Sequence, residues 1–283
     1  MKEIGEVLKL KEIREVLKWR KTAAGKISII LLVLSVILLI IACSPWGNFT
    51  ERTANNINNI LFGIATNLLG IIVTVSFVQY FIDKQDEQEE LIQEKNMIIK
   101  YNRVMNLFLK KYKKYYNCVT NPMTERKNID ALTLNPKFQF QDMRDMYRQS
   151  LFLSDGFYEP SIVLFYRAED NLRSYIIKML ENIQFKYHEE LYDLLIEFVE
   201  LSQSIDVRGS ILDDILVKKY DENFLREIEE YIKEAEQHKW VERALEGNLV
   251  SNVMLPYVQL YWLMQKEAEL LVRYEECISK LIK

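Results

Sequence analysis

Histidine, proline and glycine are scarce in this chain, and so is cysteine. The only histidines, His188 and His238, have no cysteine or histidine at ligand spacing, so no metal site is expected. The three cysteines, Cys43, Cys118 and Cys277, are far apart and odd in number. That excludes a disulfide framework and a zinc cluster, and it fits a reducing compartment for Cys118 and Cys277. Beyond residue 82 the glycines are Gly156, Gly209 and Gly247. No glycine-rich phosphate loop of either common type is present, which argues against a nucleotide-hydrolysing engine. No G-x-S-x-G elbow exists either. Carboxylate runs such as Glu227–Glu230 read as helix faces with partners four residues away. The chain therefore reads as non-enzymatic, with no catalytic residue, no metal and no cofactor to nominate. Few helix breakers, with abundant Leu, Ile, Glu, Lys and Tyr, point to an all-α protein.

What the chain does have is two apolar runs. Ile60–Ile82 carries no charge and has the length that crosses a bilayer core as a helix. Ile27–Cys43 is shorter and purer, and reaches spanning length if its flanks sit among the headgroups. The division that follows is Met1–Lys26 as a cytoplasmic amphipathic helical segment, Ile27–Cys43 as the first span and Ser44–Asn59 as a short outer loop. Ile60–Ile82 is then the second span, and Asp83–Lys283 a cytoplasmic helical domain. Met1–Lys21 repeats a nine-residue unit, KEIGEVLKL then KEIREVLKW. Nine residues is two and a half turns, so the two apolar clusters fall on opposite faces of a straight helix.

Orientation follows from basic residues. Lys2, Lys9, Lys11, Arg14, Lys18, Arg20, Lys21 and Lys26 precede the first run, whereas the outer loop holds only Arg52. The positive-inside rule puts both termini in the cytoplasm and locates the chain in the cell inner membrane. A competing reading exists: Ile40-Ile41-Ala42-Cys43 resembles a lipobox, which would make Cys43 a lipidated N-terminus.

Each run carries a stripe of small or polar residues. Ser28, Ser35 and Ala42 recur every seven residues and share one face. Gly63, Asn67, Gly70 and Thr74 fall within a narrow arc of the second run. Small residues allow helices to approach closely, and an amide in hydrocarbon seeks a partner. The two stripes are expected either to pack against each other in one hairpin, or to leave the Asn67 face for assembly of a homo-oligomer or for a polar path.

After Ile82 nothing breaks the helix until Asn121-Pro122. Leu91, Ile98, Tyr101, Met105, Phe108, Tyr112 and Tyr115 form a heptad-like seam, with Glu94 as a polar exception. The second span is expected to run on as a stalk of about 50 Å at 1.5 Å per residue. Its start, with Asp83, Asp86, Glu87, Glu89 and Glu90, is acidic. Lys110, Lys111, Lys113 and Lys114, interleaved with tyrosines, are a candidate nucleic-acid or partner patch. The alternative is that Tyr112 and Tyr115 face the bundle and the lysines are solvated. Amphipathic helices are expected over Pro160–Ile183, Glu189–Ser202, Asp221–Gln237 and Leu249–Leu281. Loops are expected around Gly209 and Gly247, and a short helix within Lys137–Leu153. Short connections make this an antiparallel helical bundle.

The layout of two apolar spans with a cytoplasmic helical domain resembles the small two-span membrane effectors of bacterial anti-phage systems, notably those attached to retrons. The resemblance covers the arrangement of the whole chain rather than a motif. It implies a protein partner in a defence complex, a reverse transcriptase with its RNA–DNA product, and damage to the lipid bilayer when that partner releases the effector. It carries over no functional residues. The other class open to the sequence is a membrane tether or scaffold that positions a cytoplasmic partner.

Overall fold

The computed structural model describes residues 23–44, 51–124, 132–148, 159–217, 222–237, 239–246 and 253–282. Every regular element along them is helical, so the protein is all-α. In chain order, α1 is Ala23–Ala42, α2 Glu51–Thr120, α3 Ser161–Asn182, α4 Glu189–Ser204 and α5 Arg208–Val217. They are followed by α6 Glu222–Lys233, α7 Lys239–Leu245 and α8 Leu255–Ile282. Short 3₁₀ turns occupy Phe140–Asp145 and Ala235–Gln237. The repeat in Met1–Lys21, Trp46, Phe49, Ser154–Gly156, His238 and Gly247 lie outside the described residues. The chain divides into two compact units, Met1–Glu90 and Leu91–Lys283.

Three boundaries differ from those read off the sequence. Helix α2 begins at Glu51, so Glu51–Asn59 is the first turns of a helix and not loop. Nothing in Glu51–Asn59 breaks a helix, and Glu51 lies in the first turn, where an acid suits the helix dipole. Gly209 lies inside α5, in its first turn, rather than in a loop. A glycine at a helix start costs little because that turn has few intrahelical bonds to lose. The short helix expected within Lys137–Leu153 is the 3₁₀ turn, fixed where the Gln139 N–H donates to Asp142 Oδ2 at 2.7 Å.

In the first unit, α1 and the early part of α2 are the two helices long and apolar enough to cross a membrane. They leave most of their aliphatic side chains uncovered: Ile30 is 65% exposed and Val73 68%. Their contact is narrow. Ser28, Ser35, Ala42 and Ala65 are buried, and Ser35 Oγ donates to the Ala65 carbonyl at 3.1 Å.

The second unit has one continuous core built on α2, α3, α4 and α8, with α5, α6 and α7 packed around it. Helix α2 runs unbroken for 70 residues, about 105 Å at 1.5 Å per residue. It stops where the Pro122 ring crowds the backbone of Asn121 and disfavours helix there. Its buried stripe is Ile98, Asn102, Met105, Leu109, Tyr112, Tyr116 and Val119. The seam read from the sequence is thus corrected at alternate positions. Tyr101 and Phe108 are only half-buried, and Leu91 is 41% exposed. Ile98, Met105 and Tyr112 belong to both versions, and Tyr115 stays buried at the edge. Helices α3 and α4 form a hairpin, and α4 packs along α8. Glu94 fastens α2 to the turn of that hairpin. It accepts the Tyr187 N–H at 3.0 Å, and His188 Nδ1 lies 2.7 Å from its Oε1. In the same turn Phe185 takes a φ of 49°, a strained value for an aromatic residue.

Candidate functional site

Ser35 decides how the first unit presents itself. Its hydroxyl reaches the Ala65 carbonyl, so the covered face of α2 is the one bearing Leu61, Ala65, Leu68 and Ile72. At 3.6 residues per turn, Gly63, Asn67, Gly70 and Thr74 lie on roughly the opposite side. All four are exposed, and nothing stands within 4 Å of a Cβ built at Gly63 or Gly70. The hairpin in which one stripe meets the other is therefore not the one formed. Ser35 of the α1 stripe meets Ala65, and the Asn67 stripe faces away from that contact. Thr74 Oγ1 donates to the Gly70 carbonyl at 2.9 Å, which satisfies its hydroxyl within the helix. Asn67 makes no side-chain hydrogen bond among the described residues. It is the one amide on the stripe and the group with most to gain from a partner in hydrocarbon.

The lysine patch is dispersed by the fold. Lys113 pairs with Glu275 of α8 at 2.6 Å, and Lys114 lies 5.1 Å from the Tyr115 ring centroid. Lys110 and Lys111 are exposed. Lys111 borders a shallow groove of about 260 Å³ with Tyr115, Glu159 and Arg167. There Arg167 is already held by Glu159 at 2.8 Å. The tyrosines point inward: Tyr112 and Tyr116 are fully buried and Tyr115 nearly so. No ring among these three is free to stack on a base.

The sequence did not lead to the buried polar cluster of the second unit. Glu169 of α3 is 1% exposed and accepts a very short hydrogen bond from Ser202 Oγ of α4. Arg208, opening α5, reaches Glu169 at 3.0 Å and Asp170 at 2.7 Å. Arg173 reaches Asp170 at 2.6 Å and donates to Ser202 Oγ at 2.8 Å. Burial pushes the Glu169 carboxyl up, against the pull of the two arginines. Glu267 of α8 is different. It is fully buried, accepts the Tyr112 hydroxyl at 2.7 Å, and leaves Oε1 without a partner. Burial first, and then the negative field of Glu169, drive its carboxyl well above the usual range. A signal for it exists in the sequence. Glu267 occupies the apolar stripe Leu260, Met264, Leu271 and Tyr274, where an acid is out of pattern.

This cluster clamps α3, α4 and α5 together: the Ser202 hydroxyl donates to the Glu169 carboxylate, and Arg208 and Arg173 close the set. Its pH signature is specific. Unfolded chain ionises Glu267 near the ordinary glutamate range while the folded chain keeps the proton. Stability from this group is full below about pH 4 and is lost, at up to about 1.4 kcal/mol per pH unit, as pH rises toward the raised folded value. Glu267→Gln keeps an acceptor for Tyr112 and cannot ionise. Relative to wild type, its melting temperature is expected to gain as pH rises above the ordinary glutamate range, because the raised carboxyl of the wild type loses stability there and the amide does not. A difference that does not change with pH would mean that Glu267 is ionised in the fold.

Comparison with known families, curated proteins and solved structures finds no match for this chain.

Proposed function

We propose that this protein is a non-enzymatic bacterial inner-membrane effector. Its two spans lie in the bilayer and its helical domain in the cytoplasm. It perturbs the membrane when a protein partner releases or triggers that domain, as in abortive-infection defence against phage. The observation that carries the reading is the outward-facing Gly63–Asn67–Gly70–Thr74 stripe. The hairpin contact is made on the other side of α2, so this stripe is left for a second copy. Close approach of helices at glycines and an unpaired amide favour association in hydrocarbon. Assembled copies would bring the acidic residues Asp83–Glu90 together and favour cations. The test is membrane potential: overproduction without the genomic neighbours is expected to depolarise cells within the induction period. An unchanged potential in producing cells would reject the effector reading.

The unbroken α2 supports a second reading, a tether. One helix, α2, carries both the apolar run and the first strip of the second unit's core, which suits a tether for a cytoplasmic partner. A tether leaves the potential intact and loses only partner localisation when α1 is deleted.

Orientation is testable with a thiol reagent that does not cross membranes. Cys118 is buried and reports nothing, and burial with the Glu190 charge raises the Cys277 thiol. An introduced reporter is therefore needed at Asn55, which is exposed near the start of α2. In a Cys43→Ser background, Asn55→Cys is expected to label in intact cells, and Cys277 only after lysis. Labelling of Cys277 in intact cells would reverse the orientation. In the wild type, a lipidated mature N-terminus at Cys43 would reduce the count to one span.

A further inference from the structure

The outward face of α2 within the second unit is unlike the rest of the surface. From Lys95 to Asn117 the sequence contains no acidic residue. Lys100, Arg103, Lys110 and Lys111 are exposed and make no ion pair among the described residues. Between them sit large aliphatics that the fold leaves uncovered: Leu107 is 62% exposed, Val104 41% and Met97 39%. At 100° per residue Leu107 lies opposite the buried stripe centred on Ile98, Met105 and Tyr116, and the four basic residues flank it on either side. Met97, Val104 and Leu107 follow a seven-then-three spacing, which is the spacing of a helix seam. On this face exposed aliphatics alternate with Lys100 and Lys111, which share the seam positions, while Arg103 and Lys110 line one side, and none of the described residues covers Leu107.

We infer that this face, from Met97 to Lys111, is a docking strip for an amphipathic helix of a partner protein that carries acidic residues within and beside a leucine-type edge. Charge complementarity selects the acid, and the exposed aliphatics select a helix with an apolar edge. Nucleic acid fits less well. Leu107 and Val104 would face phosphates at the centre of the strip, and Tyr112, Tyr115 and Tyr116 are buried where they cannot stack. A second copy also fits less well. Two stalks rising in parallel from one membrane would set Lys100 and Arg103 of each copy against their equivalents. The inference rests on the proposed function only for the existence of a partner. Its test reads affinity and not membrane potential, so the two fail separately.

The full chain in lipid nanodiscs is titrated with three fluorescent probes. One is a synthetic helical peptide with leucines at heptad spacing and glutamates beside them. The second has the same composition in scrambled order, and the third is a single-stranded oligonucleotide of matching charge. The patterned peptide is expected to bind at least tenfold tighter than either other probe. Val104→Asn with Leu107→Asn is expected to remove that preference while leaving the melting temperature unchanged, because both positions are exposed. Lys100→Glu with Lys111→Glu is expected to weaken the peptide at least tenfold through charge alone. Equal binding of the two peptides, tightest binding of the oligonucleotide, or no effect of either double variant would overturn the docking strip. So would disulfide-linked homodimers of Leu107→Cys in a Cys43→Ser background, which would assign the face to a second copy.

Discussion

Cells producing the Asn67→Leu, Gly70→Leu double variant are expected to keep their membrane potential under conditions in which the wild type collapses it. Gly70 has open space where a side chain would go, and Asn67 has no hydrogen-bond partner among the described residues. Neither substitution therefore disturbs the α1–α2 contact, which rests on Ser35 and Ala65 on the far side of the helix. Each adds apolar surface to a run that is already apolar, so insertion is retained. What is lost is association. Leucine at position 70 blocks close backbone approach, and leucine at position 67 removes an interhelical hydrogen bond of about 0.6–2 kcal/mol. For an assembly that repeats one contact around a ring, such a loss is multiplied by the number of copies. Expression and membrane fractionation should match wild type while a potential-sensitive dye reports near-complete protection. Depolarisation at the wild-type level by a well-expressed double variant would end the assembly model. The control is Ser35→Ala, which removes the Ser35–Ala65 hydrogen bond and leaves the outward stripe untouched.

The second large effect is on stability and decides which way α2 faces. Leu109→Ala is expected to cost about 2–5 kcal/mol, the range for a fully buried leucine. Leu109 is 1% exposed within the continuous core. Phe108 is only half-buried and stacks on Tyr175 with ring centroids 5.1 Å apart. Phe108→Ala is therefore expected to lose the pair energy of about 0.5–1.5 kcal/mol and part of the area term, below the cost of a fully buried ring. Leu107→Ala on the exposed face should stay within about 0.5 kcal/mol of wild type. Chemical denaturation of the full chain in detergent, read by tryptophan fluorescence, gives all three values. A ranking with Phe108 above Leu109 would return the seam to the positions that heptad spacing alone selects.

The difference between those seams shows where sequence reading ends. Ile98, Met105 and Tyr112 repeat every seven residues, and both readings contain them. The positions between are ambiguous, because 3.6 residues per turn lets either the third or the fourth residue share the face. By hydrophobicity Tyr101 and Phe108 compete well with Asn102 and Leu109. The fold takes the second set because partners wait for their polar atoms. The Tyr274 hydroxyl donates to Asn102 Oδ1 at 3.0 Å, and the Tyr116 hydroxyl donates to the Asn135 carbonyl at 2.7 Å. Those partners lie far along the chain, and no local pattern records them.

Composition and periodicity by themselves determined that the protein is all-α, that two helices are apolar enough to cross a membrane, and that one of them continues to Asn121-Pro122. These follow from local quantities: run length, breaker positions and the distribution of charge. They also determined which residues share a face, including the Gly63–Asn67–Gly70–Thr74 stripe. Tertiary structure alone decided what each face meets. It turned that stripe away from α1 through Ser35 and Ala65, tied Lys113 to Glu275, and buried Glu267 beside Tyr112. A helical period fixes angles around one axis. Which neighbour covers an angle depends on contacts between residues distant in the chain, and those exist only once the helices have packed.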